Sequence, residues 1–267
     1  MRKFTRVITV IVFIFLYIPI LVLGIASFNS GTDLAVFRSF TFAQYGELFH
    51  DSELLKLALN SLIIAVSSTI LATLIGCQGS LEYEKILPAA LNFGVTPVEI
   101  KEIVYQAVAY LGIGRVYPFL IATNKVLEEK GVKLPLEGQA TSTTENRREL
   151  GTQAQVDIFG EGMRDFWQSG PEESKHINYW LADNCFGDYY TRTGLSYAQR
   201  EMITFCFLAA QGGCEPQLTA HAAGNMKVGN DKAFLIRVIS QCLPFIGYPR
   251  SLNALACVNK AAEADAK

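Results

Sequence analysis

Three residues in the C-terminal part of the chain carry side chains suited to acid/base or thiol chemistry: Glu201, Cys214 and His221. A carboxylate can orient an imidazole or relay a proton, a thiolate is a nucleophile, and an imidazole titrates near neutral pH. Cys214 and His221 both lie in the segment QGGCEPQLTAH, residues 211–221. The sequence therefore predicts a candidate catalytic group centred on this segment.

The segment also predicts how these side chains are placed. Two glycines before Cys214 end one helix, and Pro216 begins the next, so Cys214 lies at or just before a helix N-terminus. The helix dipole at that position favours a thiolate and lowers the cysteine pKa. His221 follows seven residues later on the same helix face, about 10 Å along the axis, so we expect it to be a neighbour of Cys214 without bonding to it.

Each of the three residues also has an interpretation that involves no catalysis. Glu201 could interact favourably with the positive end of its helix, and Cys214 could be a small residue in a tight turn. His221 could be a hydrogen-bonded histidine of the core. Residue types and spacing leave both interpretations open.

Helix signals dominate the region that must position these residues. Thr96, Pro97 and Glu99 form a capping pattern that predicts a helix with one apolar face, ended by Gly112. Further helices are predicted at 116–130, from a cap at 142–145 to about 159, at 197–211 after Ser196, and at 216–227, 232–245 and 251–264. No strand periodicity is present, so the sequence predicts an all-α fold, a helical bundle.

A repeat at an offset of 135 residues organises the same region. The offset aligns identical residues at seven positions: 94 with 229, 106 with 241, 112 with 247, 115 with 250, 120 with 255, 124 with 259 and 125 with 260. This predicts a duplicated helical unit. Under the offset, Glu201 aligns with Val66 and His221 with Ile86, so only the second copy carries the acid and the imidazole.

The first 76 residues differ in composition from the rest. Residues 8–26 form an uncharged apolar run after three basic residues, and residues 57–76 form a second, more polar one. The first run is long enough to cross a bilayer, with a signal peptide as the competing interpretation. The second is more typical of a helix that packs against other helices. The loop between the two runs has more acidic than basic residues, which predicts that the N-terminus and the chain after residue 76 both face the cytoplasm.

Composition excludes some functions. The 267-residue chain has a net charge of -2, so nucleic acid is not expected as a partner. Its six cysteines show no CxxC spacing and are predicted to be mostly buried thiols in a reducing compartment. No motif indicates a metal or an organic cofactor, and we expect none.

Two family resemblances follow from longer stretches. The segments LYIPI (16–20), SFNS (27–30) and NSLIIA (60–65) resemble the first membrane helices of a spermidine/putrescine-type ABC transporter permease. The segments FGDYYTRTGL (186–195), GGCEPQL (212–218) and IGYPRSLNAL (246–255), with Glu201 and His221, resemble the carboxymuconolactone decarboxylase / alkylhydroperoxidase superfamily in its tandem form. That superfamily implies an all-α fold and assembly as trimers or hexamers.

The second resemblance implies two kinds of chemistry. The alkylhydroperoxidase branch uses a glutamate, a CxxC pair and a histidine, but Gln217 stands where the second cysteine belongs, which leaves only a peroxidase cycle through Cys214 and an outside thiol. The decarboxylase branch implies that His221 acts as general acid/base on a small lactone or carboxylic acid, with Glu201 setting its tautomer. Arg192, Arg200 and Gln217 are then the expected substrate-binding residues.

These observations predict four parts: a permease-like segment at 1–76, a truncated first decarboxylase-like repeat at 77–133, a linker at 134–144 and a complete second repeat at 145–267. Residues 77–267 are expected in the cytoplasm, attached to the membrane through the N-terminal helices. The alternatives to a decarboxylase-like lyase are a thiol-dependent peroxidase, a truncated permease fused to a non-catalytic helical domain, and a non-catalytic oligomeric scaffold.

Overall fold

The computed structural model describes residues 22–31 and 36–265 of the chain. Most of the predicted first membrane helix, residues 8–21, therefore lies outside the described residues. The chain divides into two compact units, one ending at Asn60 and one beginning at Ser61. In the first unit, residues 22–26 are helical, Asn29 and Phe40 form an isolated antiparallel bridge, and helix α1 spans Ala43–His50.

Helix α2, Ser52–Gly76, begins in the first unit and ends in the second. Within the described residues it is the one helix long and apolar enough to cross a membrane, yet 44% of its most apolar window is buried inside the protein. Residues 67–76 are buried, except that Ile70 is partly exposed. Thr69 contacts the Met202 sulfur, and Thr73 Oγ1 lies 3.1 Å from Cys242 Sγ. The C-terminal half of this helix is thus part of the protein core, as its polar residues indicated.

The second unit is all-α, and the fold class predicted from the sequence is confirmed: no strand occurs among the described residues. After α2 it contains α3 (Ser80–Asn92), α4 (Pro97–Leu111), α5 (Ile113–Glu129), α6 (Arg147–Phe159) and α7 (Lys175–Trp180). A π-helical segment, Leu181–Tyr190, continues α7 directly. Then follow α8 (Tyr197–Gln211), α9 (Glu215–Lys227) and α10 (Lys232–Asp265). Short 3-10 turns occupy Glu161–Met163 and Phe166–Gln168.

Local signals placed several helix ends correctly. Thr96 with Glu99 and Ser196 with Gln199 both form complete capping boxes, and Gly112 ends α4 with a φ of 80°. Two predicted starts differ from the structure, because α5 already begins at Ile113 and α6 begins only at Arg147. The predicted helices 232–245 and 251–264 lie within α10, which is broken at Gly247.

Backbone features recur at the offset of 135 residues. Helix α9 covers the residues 135 positions after those of α3. Gly94 and Gly229 have φ values of 100° and 101°, and Gly112 and Gly247 have 80° and 74°. Each of these glycines adopts a left-handed conformation that other residues rarely occupy.

One hydrophobic core of the second unit contains residues from α2 to α5 and from α8 to α10. Its fully buried side chains include Leu71 and Ile75 of α2, Ile100 of α4 and Phe205 of α8. A smaller cluster links α6 to the π-helical segment through Ala154, Ile158 and Phe186. The two helices approach closely there, since a Cβ on Gly151 would lie 1.9 Å from the carbonyl oxygen of Ala182. This contact fixes the π-helical segment against α6.

Candidate active site

His221 and Glu201 form a buried pair at the centre of the second unit. His221 lies on α9 and Glu201 on α8, and His221 Nδ1 is 2.8 Å from Glu201 Oε2. His221 is 8% exposed and Glu201 is fully buried. The sequence singled out both residues, and the structure brings them into direct contact.

The other carboxylate oxygen of Glu201 accepts a hydrogen bond from Tyr190. The Tyr190 hydroxyl donates to Glu201 Oε1 at 2.7 Å, and it also contacts the hydroxyls of Thr204 at 3.0 Å and Tyr110 at 2.8 Å. Burial raises the Tyr190 pKa well above its usual value, and the charge of Glu201 raises it further. Tyr190 therefore stays protonated and acts as a donor that fixes the carboxylate.

Aromatic rings enclose the imidazole of His221. The rings of Tyr110 and Phe159 both lie 5.4 Å from it, centroid to centroid, in edge-on arrangements. Gly224 packs closely against Phe159 and Glu201, because a Cβ there would be 2.6 Å from Phe159 Cε1 and 2.8 Å from Glu201 Oε2. An apolar enclosure strengthens the electrostatic contact between imidazole and carboxylate.

Asn225 forms hydrogen bonds with the backbone of both Glu201 and His221. Its Nδ2 donates to the carbonyl oxygens of Glu201 at 2.9 Å and of His221 at 2.8 Å. Its Oδ1 accepts from Asn230 Nδ2 at 2.9 Å. Asn225 is fully buried, so these bonds hold α8 and α9 in a fixed register.

Cys214 lies at the N-cap of α9, where the sequence placed it, but outside this hydrogen-bonded group. Its thiol donates to the Leu208 carbonyl at 3.5 Å and contacts Gln211 Nε2 at 3.9 Å. Burial raises the Cys214 pKa and the charge of Glu215 adds to this, although the contact with Gln211 opposes it. The prediction of a lowered pKa is wrong, because burial disfavours the charged thiolate.

A different cysteine touches the group around His221. Cys185, in the π-helical segment, has its sulfur 3.8 Å from the Tyr110 hydroxyl. Burial raises its pKa to about 12. Cys185 is thus a neutral thiol at the far end of a chain of contacts that runs through Tyr110 and Tyr190 to Glu201.

The two arginines predicted to bind substrate converge on Glu102 of α4. Arg192 makes three hydrogen bonds of 2.8 to 3.0 Å to its carboxylate, and Arg200 makes one of 3.1 Å. Arg200 is fully buried and also donates to Gln106 Oε1 at 2.7 Å. The structure therefore brings the arginines to each other and not to His221.

Gln217, the third predicted substrate contact, is exposed on α9. It precedes His221 by four residues, so both lie on the same face of the helix. Of the predicted residues, Gln217 is the one that combines exposure with this placement.

Sequence reasoning missed Tyr190, Tyr110, Thr204 and Asn225. Tyr190 lies in the FGDYYTRTGL segment, whose resemblance was noted without a role for the tyrosine. Tyr110 precedes His221 by 111 residues along the chain. No spacing rule connects positions so far apart.

The comparisons with known proteins bear on this region. Residues 177–260 match the model of the Carboxymuconolactone decarboxylase family. The match contains the candidate site residues Tyr190, Glu201, Cys214 and His221, whereas Tyr110 and Phe159 lie before it. No curated protein matches the chain. The permease resemblance of residues 1–76 and the tandem form stay predictions.

Within the described residues, no group of three or more His, Cys, Asp or Glu side chains could hold a metal ion.

Proposed function

We propose that the unit from Ser61 onward is a carboxymuconolactone decarboxylase-like enzyme that acts on a small lactone or carboxylic acid, with His221 as general acid/base. The observation that carries this proposal is the buried pair of His221 and Glu201. A histidine held this way, inside a segment that matches the decarboxylase family, has the requirements of a proton-transfer group.

The pair defines what each nitrogen of the imidazole can do. With Nδ1–H donating to Glu201, Nε2 is the nitrogen that takes up or releases a proton. The carboxylate stabilises the imidazolium that forms when Nε2 is protonated, and Tyr190 keeps the carboxylate in place. Glu201 is a positioning residue in this scheme, and His221 is the catalytic residue.

His221 alone can supply the proton that a decarboxylation requires. Cleavage of the bond to the carboxylate releases CO2 and leaves an electron pair on the adjacent carbon. The imidazolium of His221 donates its proton to that carbon, and the resulting neutral imidazole is reprotonated from water. We propose Gln217 as a substrate contact because it is exposed on the same helix face.

We further propose that the protein is a tandem duplication in which the second copy alone is catalytic. The matching bounds of α3 and α9 and the paired glycine conformations support a common origin of the two copies. Val66 and Ile86 occupy the positions of Glu201 and His221, and neither can transfer a proton.

The alternative of a thiol peroxidase through Cys214 is less well supported. It needs a thiolate, and the raised pKa of Cys214 reduces the thiolate fraction at neutral pH. The alternative of a truncated permease fused to a non-catalytic domain leaves the buried ionisable pair without a purpose. Assembly as a trimer or hexamer, a cytoplasmic second unit and attachment to a membrane through the N-terminal residues are further proposals.

The test is decarboxylation by the full chain, measured as CO2 release from carboxymuconolactone and a panel of related small acids. We expect His221→Gln to lower kcat/KM by about 10² to 10⁴, the usual contribution of general acid/base catalysis. Because the change also removes one partner of the buried Glu201 carboxylate, it should lower Tm, and turnover is compared well below the Tm of the variant. His176→Gln is the matched control, because His176 is exposed and packs on Trp180. Unchanged turnover by His221→Gln would contradict the proposal, and thiol-dependent peroxide reduction instead of CO2 release would favour the alternative.

A further inference from the structure

A cavity of about 340 Å³ lies away from His221, between α4, α5 and the segment that follows α5. Its walls are Lys101, Glu102 and Tyr105 of α4, Asn124 of α5, residues 134–139 and Arg192. The volume is in the range of small-molecule sites, and none of the residues around the imidazole lines it. The cavity therefore calls for an explanation separate from the candidate active site.

Two cations flank an aromatic ring in this cavity. Lys101 Nζ and the Arg192 guanidinium carbon each lie 5.3 Å from the centroid of the Tyr105 ring. Lys101 is only 8% exposed, and its Nζ donates to Asn124 Oδ1 at 2.6 Å, which uses one of its three N–H bonds. A buried ammonium is costly unless it is paired with an anion or hydrogen-bonded.

The floor of the cavity carries a net positive charge. Glu102 is the buried carboxylate there, and both Arg192 and Arg200 form ion pairs with it. Arg200 lies outside the lining, so Lys101 and Arg192 against Glu102 leave one positive charge among the less exposed lining residues. The other acids of the lining, Glu128 and Glu137, are exposed at the rim, where solvent screens their charge.

Apolar groups complete the lining. Val98, Leu134, Pro135 and Leu136 lie around the same cavity as the Tyr105 ring. A ligand that satisfies both parts of the lining has one anionic group for the cations and an apolar body for the ring and the aliphatic side chains. We propose that this cavity is a binding site for a small organic carboxylate with a cyclic apolar body, held at its carboxylate by Lys101 and Arg192.

This proposal does not rest on the proposed function, since His221 takes no part in it. The two sites are nevertheless joined by buried polar contacts. Gln106 accepts from Arg200, and it donates to Thr204 Oγ1 at 2.8 Å, which in turn contacts Tyr190. A series of buried hydrogen bonds therefore leads from Arg200, beside the cavity, through Gln106, Thr204 and Tyr190 to Glu201.

The test is calorimetric titration of the full chain with benzoate as the carboxylate probe and benzyl alcohol as its uncharged counterpart. We expect one benzoate site and much weaker binding of benzyl alcohol. Lys101→Met should weaken benzoate binding by about tenfold or more, the factor that one charge-assisted hydrogen bond is worth. Lys130→Met is the control, because Lys130 is exposed just after α5, and should change the affinity by less than about twofold.

Two further variants keep the result decisive. Tyr105→Leu should weaken benzoate binding but leave acetate binding unchanged, because it removes the ring and no charge. His221→Gln should bind benzoate as the unaltered chain does, even where it abolishes turnover. The proposal is overturned if benzoate does not bind, if Lys101→Met and Tyr105→Leu fold and bind benzoate normally, or if His221→Gln loses the binding.

Discussion

Glu201 has hydrogen-bond partners on both carboxylate oxygens and on its backbone carbonyl. One carboxylate oxygen contacts His221 and the other accepts from Tyr190, while its backbone carbonyl accepts from Asn225. A buried carboxylate is tolerated only when its oxygens are satisfied in this way. An acid at the start of an apolar helix, which the sequence could equally assign to the helix dipole, is therefore paired with an imidazole.

At the residue scale, the reactivity of Cys214 is a direct test of the site assignment. Alkylation consumes the thiolate, so a raised pKa moves the rate–pH curve to higher pH. Peptide mass spectrometry measures the rate at which iodoacetamide alkylates Cys214 at each pH. We expect this rate to reach half its maximum above pH 9.0, the ordinary thiol pKa. Cys214→Ser identifies the modified peptide. Half-maximal alkylation below pH 7.5, a reactive-cysteine value, would restore Cys214 as a nucleophile.

At the element scale, α9 must approach α8 and Phe159 closely for His221 to reach Glu201. Gly224 permits this approach, because a Cβ there would overlap Phe159 and Glu201. The sequence marks Gly224 only as a glycine inside a helix, which by itself lowers helix propensity. Its role becomes apparent only from the packing of α9 against two other helices.

Gly224→Ala should destabilise the protein by about 1 to 3 kcal/mol, the usual cost of overpacking, and should reduce turnover by displacing Glu201. Urea unfolding and kcat/KM measure the two effects. The control is Gly114→Ala in α5, where no atom lies within 4 Å of an added Cβ. That change should be neutral or stabilising by up to about 1 kcal/mol, since alanine favours the helix. Equal stabilities of the two variants would contradict the close approach.

At the scale of the whole molecule, the N-terminal limit of the helical unit lies within α2. The family resemblances divide the chain after Gly76 into a permease-like segment and a decarboxylase-like region. That the two parts differ in origin stays a prediction. In space, the second unit begins at Ser61, because Leu71, Leu74 and Ile75 are at most 1% exposed in its core.

A shortened chain of residues 61–267 should therefore fold, whereas residues 77–267 should not. Loss of three buried aliphatic side chains, at about 2 to 5 kcal/mol each, is comparable to the typical stability of a domain, about 5 to 15 kcal/mol. Thermal unfolding followed by circular dichroism compares the two chains. A cooperative transition for residues 77–267 at the Tm of the longer chain would show that α2 is dispensable.

Much of the fold was predictable because its signals are local. The caps at Thr96 and Ser196 and the helix end at Gly112 depend on residues within one turn, and the structure has all three. The repeat offset could also be recognised by alignment of the chain with itself. The helix starts near 116 and 145 were less accurate. Gly112 both ends α4 and directly precedes α5, and Ser142 donates to the carbonyl of Gly187 instead of capping α6.

The sequence by itself determined the all-α class, the helix carrying Cys214 and His221, and the candidate roles of Glu201 and His221. Only the tertiary structure decided that Glu201 contacts His221, that Tyr190 and Tyr110 complete the group, and that Cys214 lies apart from it with a raised pKa. It also decided that Arg192 and Arg200 converge on Glu102. The physical reason is that helix periodicity and capping act over a few residues, whereas burial and the hydrogen bonds between helices depend on how distant segments pack.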